Sequence, residues 1–317
     1  MDIKKIQLTI VGTLLILLLS GCSKEGLSHD SVVDNHWENT PKSEIDQWIT
    51  QKFSPYNIEV LYRWDKSHLP AGTIAYPPNP EKIPAVLETI YELLFETYST
   101  ERGGGSGFMK DKGIIRIILL GGYDTMSNKV LLKLWNDRAT TNEIYVYGVN
   151  DFDPKDPQKV YLLMRSIHHQ FAKRLTEYIP YDRDEFAKIS SKNYGSMGLT
   201  PSESQLFKRV GISSYALRKG FYTLHSMSHP QDDFAEIITT LLLHSAVEIK
   251  EVEDKAAIPF DPSSPESIKV AEDANSTLVN KRLFVEKYFK EKVGINLRRL
   301  QLESLKRIAL YNKEHSK

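Results

Sequence analysis

Ser166-Ile167-His168-His169-Gln170-Phe171-Ala172-Lys173 is the stretch on which the reading of this chain turns. It lies inside a helical pattern: the spacing of Leu162, Leu163, Ile167, Phe171 and Leu175 predicts a long helix from about Pro157 to Tyr178. A helix that grips zinc reads H-E-x-x-H. Its two histidines lie one turn apart on one face and hold the ion, and the glutamate after the first is the general base. Here His169 stands at the first histidine, Gln170 at the glutamate and Lys173 at the second histidine.

The N-terminus carries a second clear signal. Lys4 and Lys5 precede an almost wholly apolar run from Ile6 to Leu19, followed by Leu19-Ser20-Gly21-Cys22. The run is shorter than the roughly 20 residues a bilayer needs, so residues 1–21 read as a signal peptide and not as a spanning helix. The tetrapeptide resembles a bacterial lipobox, in which cleavage before the cysteine is followed by acylation; an ordinary signal with a coincidental cysteine is the alternative. Lipid on Cys22 would anchor the protein to a membrane it does not cross. Ser23-Lys24-Glu25 has no aspartate directly after the cysteine, which leans toward the outer membrane. Cys22 is the only cysteine, so no thiol is left for a disulfide or a catalytic nucleophile, and stability has to come from core burial. Lysine plus arginine equals aspartate plus glutamate at 41 each, and no global field draws the chain to nucleic acid.

Residues 22–41 are polar and without apolar periodicity, and read as a flexible tether to a domain over 42–317. Ser43 is placed to cap a short helix carrying Ile45, Trp48 and Ile49. Strands are expected at 56–64, 114–120 and, edge-like, 143–149, with a helix over 83–98 between the first two. Gly103-Gly104-Gly105-Ser106-Gly107 has neither the leading strand nor the Gly-Lys-Ser/Thr ending of a phosphate loop, and reads as a plain loop. Later helices are expected near 204–218, 232–248, 266–291 and 296–312. Strands early and helices late indicate an α+β fold: helices on one face of a small mixed sheet, an α/β part over about 42–155 and a helical, site-bearing part over about 156–317.

A second segment gives the broken motif its context. Gly220-Phe221-Tyr222-Thr223-Leu224-His225-Ser226 is followed by Asp232-Asp233-Phe234-Ala235-Glu236. Asp232 and Glu236 have one-turn spacing at a helix start, where the dipole favours anions. Together the two segments resemble the zinc-binding metallopeptidase lipoproteins, of gluzincin type, that accompany nutrient importers of Gram-negative outer membranes. That family typically shows H-E-F-A-H, then G-F-V-T-x-Y-A, then E-D-F-A-E. Pro55-Tyr56-Asn57-Ile58-Glu59-Val60 with Tyr62-Arg63-Trp64, and Pro77-Pro78, are also family-like.

The resemblance implies a zincin-like fold and a site plan altered at most chemical positions. His169 matches the first zinc ligand. Gln170 replaces the base, and an amide does not take a proton from water. Lys173 replaces the second ligand with a cation that has no lone pair to give. Asp232 replaces the glutamate ligand, His225 the tyrosine that steadies the oxyanion, and only Glu236, the outer-shell acid, is unchanged. Lys173 paired with Asp232 or Glu236 would neutralise the cavity with no cofactor. A zinc site rebuilt from His169, His225 and Asp232 stays open, as do plainer readings: His168 and His169 as core histidines, Asp232 as a helix cap, and His225, His229 and His244 as ordinary polar residues. The expectation is a lipid-anchored (palmitate-bearing) pseudo-enzyme in the cell envelope. It would act as a binding or scaffold component, with a TonB-dependent importer complex as partner and a peptide or glycan as ligand. An active zinc metallohydrolase is the alternative.

Overall fold

The computed structural model describes residues 43–69, 75–110, 112–123, 142–190, 193–195 and 212–316. The signal peptide with Cys22, the tether, and the part of the expected 204–218 helix before Ile212 lie outside the described residues. Residues Glu44–Lys317 form one unit. Among the described residues no helix is long and apolar enough to cross a membrane.

Helix α1 (Glu44–Phe53) ends where Pro55 cannot continue it, and Phe53 packs edge-on against Phe95, ring centroids 5.3 Å apart. Strand β1 (Glu59–Leu61) follows a turn in which Asn57 takes the left-handed conformation at φ 60°. The chain then crosses over through α2 (Ile83–Ile90), a π-turn (Tyr91–Phe95) and α3 (Glu96–Ser99) to β2 (Arg116–Leu119). Strand β3 (Glu143–Val146) completes a sheet in the order β1-β2-β3. The expected α+β class holds. The sheet, expected to be mixed, is parallel throughout its described strands, with Val60 opposite Ile117 and Ile117 opposite Ile144. A helical crossover between neighbouring strands is what makes parallel pairing reachable.

Pleating sends alternate side chains to opposite faces. Val60, Ile117, Leu119, Ile144 and Val146 enter the main core with the helices, while Ile118, Leu120, Tyr145 and Tyr147 form a smaller cluster covered by Trp64 and Leu69. Trp64 secures that cover by donating its indole N–H to the Leu119 carbonyl at 2.7 Å.

Helix α4 (Pro157–Tyr178) has the bounds its apolar stripe predicts. Asp156 caps it by accepting from the Gln158 N–H at 2.9 Å, Pro157 fills the first position, and Pro180 prevents continuation. After α5 (Arg183–Lys188) and α6 (Ile212–Leu217) comes α7 (Pro230–Leu243), which lies along α4. The helix expected over 232–248 breaks at His244, because Ser245 and Glu248 form a capping box that starts α8 (Ala246–Ala256). Helices α9 (Pro265–Tyr288) and α10 (Leu297–His315) close the core. Tyr181, Phe186, Phe234, Phe284 and Tyr288 form an aromatic cluster between α5, α7 and α9, with Tyr181 stacked on Phe234 at 3.7 Å.

Two of the polar features buried in this core bear on its stability. Lys281 of α9 and Asp233 of α7 pair at 2.7 Å with both side chains wholly enclosed. The ammonium also donates to the Gly220 carbonyl at 2.8 Å and lies 3.6 Å from the centre of the Phe221 ring, and the Tyr194 hydroxyl donates to Asp233 at 2.7 Å. Burial pushes the Asp233 carboxyl up and the Lys281 ammonium down, each shift opposed by the other's charge. Gly220 is required here: its φ is +78°, and an added Cβ would lie 2.6 Å from Thr277 Cγ2. The second feature is His168, enclosed beside Tyr98 and Phe171, whose ring nitrogens have no hydrogen-bond partner among the described residues. Burial lowers its pKa from the ordinary 6.5 to about 3.

Removing one member of a buried ion pair strands the other, so Asp233→Asn and Lys281→Met should each cost about 3–5 kcal/mol in denaturant unfolding. The double variant should cost less than the two singles summed. His168 stays neutral in the fold, so its contribution is fully present above pH 6.5 and drains away as pH falls toward 3. The slope is about 1.4 kcal/mol per pH unit. His168→Leu, which removes two unpartnered polar atoms, should fold normally and show a shallower loss of Tm between pH 6.5 and 5; parallel profiles would contradict this assignment.

Candidate functional site

Arg165, His169 and Lys173 follow one another at one-turn spacing along α4, and Asp232 and Glu236 do the same on α7. The two rows face each other antiparallel, Glu236 against Arg165 and His169, Asp232 against Lys173. The start of α7 is fixed by His229, whose Nδ1 accepts from the Gln231 N–H at 3.2 Å, and by Pro230. Asp232 is therefore not the cap, and its carboxylate can turn toward α4.

Glu236 is fully enclosed, with Oε2 2.8 Å from Arg165 Nη2 and Oε1 2.9 Å from His169 Nδ1. Burial alone raises this carboxyl, but the guanidinium and the imidazole outweigh it and hold its pKa well below the glutamate range. For His169 burial dominates: it lowers the pKa, and Glu236 only partly opposes it. One turn toward the start of α7, Lys173 Nζ lies 2.7 Å from Asp232 Oδ1. His225 Nε2 lies 3.8 Å from the same oxygen, and the His169 and His225 rings meet edge-on at 5.3 Å. Burial raises Asp232, but Lys173 and then His225 lower it further, so the carboxyl stays below the usual aspartate range. Of the two partners expected for Lys173, Asp232 or Glu236, the geometry has Asp232.

Gln170 does not face this cavity. Its Oε1 accepts from the Tyr145 N–H and its Nε2 donates to the Tyr145 carbonyl, both at 2.9 Å. Asn142 and Val146 give their carbonyls to β2, so Tyr145, in the alternate position, turns its N–H and C=O outward. The side chain at the general-base position thus works as a clamp between α4 and the outer edge of β3. A glutamate could accept from that N–H but has nothing to donate to the carbonyl.

The sequence-predicted residues His169, Lys173, His225, Asp232 and Glu236 come together, while Gln170 and His168 do not join them. Arg165, which sequence reasoning missed, carries the charge that balances Glu236. The signal was available: Arg165 lies four residues before His169, on the same helical face.

Whether zinc fits is decided by the donors and the charges. His169, His225 and Asp232 each offer one ligand atom, all within 4.8 Å of one another. Ligands of a tetrahedral zinc lie roughly 3.3–3.5 Å apart, so three donors are near the right separation. The charges do not fit. Lys173 is offset by Asp232 and Arg165 by Glu236, and a dication would stand uncompensated within a few ångströms of an ammonium. With Lys173 where it lies, the residues present do not make a zinc site.

No curated protein matches the chain. A solved structure described as a "putative zinc-binding metallo-peptidase" from Bacteroides caccae is 20% identical, with a TM-score of 0.60 over 86% of this chain and 96% of that one. At this identity the likeness speaks for the fold. The family model for "Putative zinc-binding metallo-peptidase" matches residues 38–298, most of the domain and every site residue described above, and the chain belongs to that family.

Proposed function

We propose that this chain is a non-hydrolysing member of its family. In this reading it is held by lipid on Cys22 at the outer membrane and serves as a binding or scaffold component of a nutrient import complex, with a peptide or glycan as its ligand. The observation that carries the loss of hydrolysis is the state of Gln170. The position that should supply a proton-accepting carboxylate holds an amide, and both ends of that amide are committed to the Tyr145 backbone. Neither neighbouring carboxylate takes over as the base, since Asp232 is paired with Lys173 and Glu236 is enclosed between Arg165 and His169. Anchoring and location rest on the Leu19-Ser20-Gly21-Cys22 tetrapeptide, and the importer on family resemblance.

A second reading, a zinc metallohydrolase with a rebuilt centre, draws on the donor cluster of His169, His225 and Asp232. The two separate on activity. The purified protein supplied with Zn²⁺ should cleave unfolded protein substrates no faster than the same protein in chelator; zinc-dependent cleavage overturns the first reading.

The clamp gives a further expectation. Gln170→Glu alone should restore no hydrolysis and should lower stability by roughly 1–3 kcal/mol, because it leaves the buried Tyr145 carbonyl without a donor. An unchanged unfolding midpoint would argue against the clamp. In cells of its source, labelled palmitate should enter the protein and be lost in Cys22→Ala; labelling that survives the substitution would refute the anchor.

A further inference from the structure

We propose that Lys173 is a tethered cation closing a divalent-metal site whose donors are His169, His225 and Asp232, so that loss of this single ammonium opens the site. This goes beyond the loss of hydrolysis, which rests on Gln170. It also uses a donor set other than the H-x-x-x-H pair, because the donor missing at position 173 is replaced from a different element, the short turn His225–Met227.

Three observations carry the inference. First, the donors form an N₂O set of the kind that borderline transition cations take, two imidazoles and a single carboxylate. Their ligand atoms lie within 4.8 Å of one another, and His225 Nε2 is 3.8 Å from Asp232 Oδ1, so closing on an ion needs a contraction of at most about 1.5 Å, within reach of side-chain rotation. Second, one donor already has the support that metal ligands have: His169 Nδ1 faces the enclosed Glu236 at 2.9 Å, and Arg165 holds the other oxygen of that carboxylate at 2.8 Å. A carboxylate behind a histidine fixes ring orientation and tautomer, leaving Nε2 as the coordinating atom. Third, the obstruction is one flexible side chain. Lys173 Nζ lies 2.7 Å from Asp232 Oδ1, with the side chain about one-fifth exposed, and its four-carbon stem can be removed without touching a donor.

The test uses the full chain in detergent with Co²⁺ and Zn²⁺. The unaltered protein should show no stoichiometric binding of either ion in calorimetry and no Tm change with Zn²⁺ or a chelator. Lys173→Ala should bind one Co²⁺ per chain, with the intense visible bands of low-coordinate cobalt, and Zn²⁺ should raise its Tm. Adding His225→Ala to Lys173→Ala should abolish binding, and adding Glu236→Gln should weaken it about 10–100-fold. If Lys173→Ala fails to fold, Lys173→Gln removes the charge while keeping a hydrogen-bond donor near Asp232, and should give the same cobalt spectrum. Stoichiometric zinc on the unaltered chain, no cobalt bands in either Lys173 variant, or bands that persist without His225 would each overturn the proposal. A metal-bound Lys173→Ala that still leaves peptides intact supports it and agrees with the Gln170 reading, whereas hydrolysis by that variant defeats only the latter.

Discussion

Glu236 is a carboxylate taken wholly out of water, and that is tolerable only because two partners meet it from the neighbouring helix. Arg165 supplies the charge and His169 a directed contact, and both come from one face of α4. The seam between α4 and α7 is matched best in this register: a slide by one turn would break the joint fit of Glu236 to Arg165 and His169 and of Asp232 to Lys173. Much else hangs from this seam. Asp233, one residue on from Asp232, points the other way into the Lys281 pair, so α7 is tied to α4 on one side and α9 on the other. His225 stands where it does because the turn that carries it leads straight into the cap of α7.

The site brings two imidazoles and a carboxylate close together and sets two cations beside them. Here the balance is struck one pair at a time, Lys173 with Asp232 and Arg165 with Glu236. Gln170 stands apart from this balance. Its amide is no idle relic of a carboxylate but a donor–acceptor pair matched to the N–H and C=O of an outward-facing strand residue. The residue that offers no proton acceptor is also the one that links helix to sheet.

Much of this was legible in the residues. The bounds of α4 follow from its apolar stripe, and charge with one-turn spacing on two helices narrows the partner of Lys173 to Asp232 or Glu236, between which the packing of α4 on α7 chooses. Other features depend on tertiary contact. The orientation of Gln170 away from the cavity depends on where the edge of β3 falls, which no local pattern states. The parallel pairing of the described strands depends on which neighbours meet in space, and strand spacing alone does not distinguish it from a mixed sheet. The break at His244 was legible in principle, since Ser245-Ala246-Val247-Glu248 carries the capping-box spacing, but the apolar run on either side hid it.

A bound ion comes and goes with its concentration, and any structure it supports weakens when the supply falls. The cation beside Asp232 is covalently part of the chain and has no concentration to fall. Scarcity, competing ligands and chelators act on a dissociation equilibrium, and for Lys173 there is none. If the site is closed as we propose, the junction of α4 and α7 is uncoupled from the metal content of its surroundings, a property that a junction built around a bound zinc cannot share.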